Sequence, residues 1–151
     1  MEGPSVPRRY LVVANQTLGG EHLTRKIRAC LALGSCSFHV LAPASHPHEH
    51  ATWDEDQARG VARERLDAAL ERFRSLGADV DGQVGAASPI DAIHDTIREQ
   101  RDRPFDEVIL STLPPGASRW LKLDLPHRVE RAVNLPVTHL IAEHHPAATG
   151  A

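Results

Sequence analysis

Tyr10-Leu11-Val12-Val13-Ala14 is a short, uninterrupted apolar run with two valines at its centre. A strand with one wet face alternates apolar and polar residues, so this run predicts a strand buried on both faces of a sheet. Asn15-Gln16-Thr17-Leu18-Gly19-Gly20 follows, in residues that favour turns and helix starts. Beyond it Leu23, Ile27, Cys30 and Leu31 share one helical face, Arg25, Lys26 and Arg28 lie off it, and Gly34 supplies a stop.

The same order recurs down the chain. Ser37 to Ala42 reads as a second strand, closed by Pro43. A polar stretch, Ser45 to Trp53, leads into a long helix, and Thr52 with Glu55 three residues on predicts a capping box at its start. Val61, Ala62, Leu66, Ala69, Leu70, Phe73 and Leu76 mark its inner face, its outer face is dense in charge, and Gly77 ends it. Val80 to Gly85 reads as a weak third strand interrupted by Gly82. Ser88-Pro89-Ile90-Asp91 has the chemistry of a helix start, with Ile90, Ile93 and Ile97 as the buried stripe behind it. Asp106 to Leu110 gives a fourth strand, Ser111 to Leu123 a loop, Asp124 to Val133 a short helix and Val137 to Ala142 a fifth strand. Strands that alternate with helices, without repeat or linker, imply an α/β fold: a three-layer, doubly wound, Rossmann-like parallel sheet of five strands with helices on both faces. Residues 1–8 are expected to be a flexible N-terminus, 9–143 a single domain and 144–151 a disordered tail.

The 151 residues suit one domain with a sizeable core. Hydrophobic residues make up 41% and charged residues 25%, and the net charge of −3 excludes a strongly basic nucleic-acid binder and a polybasic membrane patch. Two Trp, one Tyr and three Phe are too few for a platform that stacks single strands. Residues 1–10 lack a hydrophobic signal core, and no apolar run approaches the roughly 20 residues that span a bilayer, so a cytoplasmic protein is expected. Cys30 and Cys36 cannot build a disulfide scaffold or a four-thiolate zinc site and read as small buried residues. His46, His48 and His50 alternate around Glu49 and would suit zinc, nickel or copper if they shared one side of an extended loop. No cysteine or carboxylate stands at a recognisable ligand spacing, so a solvated loop is the preferred reading and no metal is assigned. His39 and His139 fall inside strands, where packing or hydrogen bonding is the expected role.

Ligands of doubly wound sheets bind beyond the carboxyl ends of the strands, where the strand order reverses. The loops after the first and fourth strands carry the unusual residues. In the second of them Gly116 lets backbone approach a ligand, Ser111, Thr112 and Ser118 offer hydroxyls, and Arg119 offers a fork suited to phosphate. The start of the next helix adds N–H donors, with Asp124 expected as its cap. The rival reading is a rigid proline-rich connection, with Arg119 on the surface and Trp120 over an apolar edge. No Gly-x-Ser-x-Gly elbow, P-loop, His-Glu-x-x-His or Gly-x-Gly-x-x-Gly is present, so no enzyme constellation is visible.

From Arg9 to Glu143 the chain resembles the universal stress protein family, within the adenine-nucleotide α hydrolase-like group. The resemblance rests on the order of elements, on Arg9-Tyr10-Leu11-Val12-Val13-Ala14, on Phe105-Asp106-Glu107-Val108-Ile109-Leu110, on Leu76-Gly77-Ala78 and on Leu135-Pro136-Val137. Val13 to Thr17 and Ser111 to Leu121 look like a divergent, actinobacterial-type branch. The resemblance implies strand order 3-2-1-4-5, a homodimer through the last strand (137–142) and a crevice for ATP or another adenine nucleotide. It would place Asn15 and Thr17 at ribose or base, Ala42 beside the adenine, and Ser111, Thr112, Gly116, Ser118 and Arg119 around the phosphates. ATP-binding members carry an acid after the first strand and a Gly-x2-Gly-x9-Gly-[Ser/Thr] run after the fourth. Here Asn15 replaces the acid, Ser111 the first glycine, and Asp124-Leu125 the closing pair, so the motif is degenerate. The implied function is a small-molecule-binding or regulatory module. The alternatives are a ligand-free dimer acting through protein contacts and a weak nucleotide hydrolase.

Overall fold

The apolar run at Tyr10 becomes the middle of the sheet. The computed structural model describes residues 7–45 and 54–143. Among them, β1 (Arg8–Val13), β2 (Cys36–Pro43), β3 (Asp79–Gly85), β4 (Glu107–Thr112) and β5 (Val137–Ile141) form one parallel sheet in the order β3-β2-β1-β4-β5. Val12 is flanked by Val40 of β2 and Ile109 of β4. β1 is thus the central strand, and helices cover both of its faces, which is why its sequence does not alternate. As expected, α1 (Glu21–Leu33), α2 (Glu55–Ser75), α3 (Pro89–Glu99) and α5 (Leu125–Ala132) fill the connections.

Successive residues of β1 point to opposite faces. Tyr10 and Val12 join Leu23 and Ile27 of α1 and Leu66 and Phe73 of α2 in one apolar layer. Leu11 and Val13 join Ile93 of α3 and Val129 of α5 in the other. Each such side chain, when fully buried, adds roughly 1.5–3 kcal/mol. Right-handed crossovers account for the division: the chain winds outward from β1 to β3 across one face, then crosses from β3 to β4 and on to β5 across the other. Cys30 and Cys36 are free thiols, buried and half-buried, on the first of these faces.

Four local expectations change. The capping box of α2 is made by Asp54 and Gln57, not by Thr52 and Glu55. Asp54 Oδ1 accepts the Gln57 N–H at 2.8 Å, and Gln57 Oε1 accepts the Asp54 N–H at 2.9 Å. An acid directly before the helix meets its free N–H groups and its dipole, whereas Thr52 lies outside the described residues. Second, Gly82 does not interrupt β3, which pairs with β2 from Asp79 to Gly85. A Cβ there would stand 2.7 Å from the Val40 carbonyl oxygen and 2.9 Å from Leu66 Cδ1, so the glycine admits α2 close against the strand.

Third, the loop read from Ser111 to Leu123 is shorter than expected. β4 continues to Thr112, and a one-turn helix, α4 (Arg119–Lys122), precedes α5. Ser118 caps this turn: its Oγ accepts the Leu121 N–H at 3.1 Å. Fourth, Asp124 stands at the start of α5 as foreseen, at φ 57°, but its carboxylate meets His127 Nδ1 at 2.8 Å and caps no backbone N–H. No helix among the described residues is long and apolar enough to cross a membrane.

Candidate functional site

β1 and β4 are neighbours, and their carboxyl ends deliver both unusual loops to the place where the strand order reverses. The loop after β1 turns inward. Asn15 is buried; its Nδ2 donates to the Pro43 carbonyl at 2.7 Å, and its Oδ1 accepts from Arg65 Nη1 at 2.7 Å. One amide thus ties the ends of β1 and β2 to α2. Arg65 is half-buried, and burial pushes its guanidinium pKa down.

Thr17 and Ser111, at the ends of different strands, meet with their hydroxyl oxygens 2.6 Å apart. Ser111 also lies 2.7 Å from His22 Nε2 of α1. His22 is only 8% exposed. Burial first, and Arg25 second, hold its pKa below the ordinary histidine value, against a smaller upward pull from Glu143. Its Nδ1 is buried without a hydrogen-bond partner among the described residues. Gly20 is what leaves room for the ring, since a Cβ there would collide with it. A hydroxyl against an imidazole is the geometry of an activated nucleophile. Ser111 is 1% exposed, however, and a substrate has no access to it.

The other foreseen residues divide in the same way. Thr112 is buried and bonds His139 Nε2 at 2.8 Å; burial lowers the His139 pKa too. Ala42 is fully enclosed at the end of β2. Ser118 is spent on its cap. Gly116, at φ 91°, lies exposed at the tip of the loop after β4. His39 is buried between Asp81 and Gln83, so both its ring nitrogens are engaged in structure. His46, His48 and His50 lie outside the described residues.

Arg119 lines a pocket of about 290 Å³ on the α3 and α5 side of this end of the sheet. Ser45, just past β2, and Ser88, at the start of α3, stand on its wall, and Arg128 of α5 faces it as well. Ile90, Trp120, Leu123 and Leu125 make the apolar part. Of the eight residues foreseen at a ligand, Arg119 alone is on this wall. His139 is hydrogen-bonded inside β5, as read, whereas His22, Arg65 and Arg128 were not foreseen. Each takes its place through a partner from a distant segment or through the folded pocket wall, and nothing in its local sequence marks it.

No family model matches the chain, and no curated protein matches it. Solved structures do. A universal stress protein from Archaeoglobus fulgidus superposes with TM-score 0.58 at 19% identity, covering 89% of this chain and 93% of that one. A protein of the same family from Burkholderia pseudomallei gives 0.59 at 15% identity, covering 91% and 98%. A universal stress protein in complex with cAMP gives 0.57 at 14% identity, covering 92% and 100%. Their agreement extends over nearly the whole chain, and with the strand order β3-β2-β1-β4-β5 it identifies the architecture: this chain has the fold of the universal stress proteins.

Proposed function

We propose that the chain is a regulatory or sensing module of universal stress type, and that it binds an adenine nucleotide or a related phosphorylated small molecule at the carboxyl end of its sheet. The observation that carries this reading is Arg119, an exposed guanidinium on a pocket wall with no ion pair to any described residue. The fold adds support, because another protein that shares it is in complex with cAMP. In this reading Arg119 meets the phosphate. Asn15, Thr17, Ala42, Ser111, Thr112, Gly116 and Ser118 lie off the pocket wall, and the buried ones hold together the end of the sheet that carries it. The residues do not fit the triphosphate pattern of ATP-binding relatives: Asn15 is tied to Arg65, and Asp124 would set a carboxylate where that pattern closes in glycine. A cytoplasmic location and the absence of nucleic-acid and membrane partners belong to the same proposal, supported by the net charge of −3.

Calorimetric titration with adenine nucleotides tests it. Wild type should bind, and Arg119→Ala should bind more weakly by about 1.5–3 kcal/mol, the range for hydrogen bonds to charged groups. Arg119→Lys should recover part of the loss, since a point charge cannot fork onto two oxygens. No binding at millimolar nucleotide would sink the pocket reading.

A second reading, a homodimer acting through protein contacts, is favoured by β5. It is an edge strand with Val137 to Leu140 half-buried and Ile141 46% exposed, and it carries no lysine or proline in its middle. Sedimentation showing a monomer at micromolar concentration would count against it. Hydrolysis has less support, because the hydrogen-bonded Ser111 and His22 are closed off from the pocket by burial.

A further inference from the structure

The pocket that holds Arg119 has a second guanidinium on its wall, that of Arg128, and no aspartate or glutamate among the described residues. Neither arginine side chain has a hydrogen bond or ion pair to another described residue. Two like charges without a counter-ion around one concavity repel each other, and an anion between them relieves that repulsion. The arginines reach the pocket from different helices, α4 and α5, so a ligand between them is gripped from two directions. The mouth of α3, at Ser88, opens on the same space and adds the positive end of a helix dipole.

The charge count selects the anion. A phosphate monoester carries about −1.5 to −2 at neutral pH, which two guanidiniums balance. A triphosphate carries more charge and travels with magnesium, which proteins hold through one or two carboxylates together with the phosphates. The described residues of the wall offer no carboxylate for that. The remaining lining is apolar, and the half-buried Trp120 gives a flat surface for a ring. A pocket of about 290 Å³ stands at the small end of the usual range for small-molecule sites. We infer that Arg119 and Arg128 form a two-guanidinium clamp for the dianion of a phosphate monoester with a flat apolar body on Trp120, and that it works without a divalent metal. The inference rests on the pocket reading above and names the ligand class.

The experiment is calorimetric titration of the full chain with AMP, ATP with and without magnesium, adenosine, and phenyl phosphate. Wild type, Arg128→Ala, Arg128→Lys and Arg119→Ala are compared. AMP should bind more tightly than ATP, with magnesium making no difference to AMP. Either alanine variant should weaken AMP and phenyl phosphate by roughly tenfold or more and leave adenosine unchanged, with Arg128→Lys in between. Equal affinity of wild type and Arg128→Ala for AMP would overturn the clamp, as would ATP binding that is tightest with magnesium. Phenyl phosphate binding that depends on Arg128, with no binding of AMP, would overturn the nucleotide reading and leave the clamp standing. If neither binds at millimolar concentration, both fall.

Discussion

The loop after β1 and the turn after β4 stand side by side at one end of the sheet, and they direct their polar groups in opposite ways. After β1, Asn15 and Thr17 point into the protein and meet Arg65, Pro43 and Ser111. After β4, the chain passes through two prolines to an exposed Gly116 and sets Arg119 on a pocket wall. Polar side chains thus serve cohesion in the first loop, and in the second Arg119 faces solvent or a ligand. A hydroxyl or amide at the carboxyl end of a strand marks a place where chemistry is affordable, but its partners decide which kind.

Substitutions test that contrast through stability. Asn15→Ala should have the largest effect. It removes the acceptor of a half-buried guanidinium and the donor to a strand-end carbonyl, a loss of about 2–3 kcal/mol by denaturant unfolding. Asn15→Asp would keep Arg65 paired but face its carboxylate toward the Pro43 oxygen, and should recover part of that loss only. A loss under about 0.5 kcal/mol for Asn15→Ala would show that the inward loop is not a structural tie.

Ser111→Ala should cost less, about 1–2 kcal/mol, by leaving Thr17 and His22 without their shared partner. Ligand affinity should not change, because Ser111 does not reach the pocket. A drop in affinity with stability intact would reverse the assignment of this loop.

Acid should weaken the inward side next. Burial holds both His22 and His139 below the ordinary histidine value, so in mild acid the unfolded chain takes up protons that the folded chain refuses. Their contribution to stability is intact above roughly pH 6.5 and is lost as pH falls from there toward the lower folded values. Unfolding curves at about pH 7.5 and about pH 5.5 should show the loss, and His22→Gln should flatten part of it. A wild-type profile that is level across this window would contradict the burial of both rings.

Arg119→Ala should have the smallest effect on stability, within about 0.5 kcal/mol, because the side chain is exposed and unpaired among the described residues. A shift in melting temperature as large as that of Ser111→Ala would mean that the outward loop also holds the fold together.

The sequence made the architecture legible wherever the signal was local. Tyr10 to Ala14, Asp106 to Leu110 and the Ser88-Pro89 start of α3 each carry their meaning within a few residues; the structure has both strands there, with ends shifted by one or two residues, and the helix start as read. Gly82 misled because the helix that requires it, through Leu66, lies in another segment. Ser118 was read as a phosphate contact because its segment read as a loop, where a free hydroxyl suits an anion, and the turn that it caps was not read. Asn15 depends on Arg65, 50 residues away, and no local pattern announces that pair. The fold was legible because periodicity and turn chemistry repeat. The site was not, because it is made of single side chains from separate elements.

The two edges of the sheet are unequal. β3 ends it on one side with the exposed carboxylates of Asp79 and Asp81, and a strand approaching there meets charge. β5 ends it on the other side with valine, threonine, histidine, leucine and isoleucine. A sheet with two open edges can add copies without limit, as fibres do. With one edge barred, pairing at β5 would use up the only receptive edge among the described residues of each copy, so the proposed association would close at two by symmetry. In that proposed dimer, two aspartates on the far side of the molecule would set the size of an assembly that they do not touch.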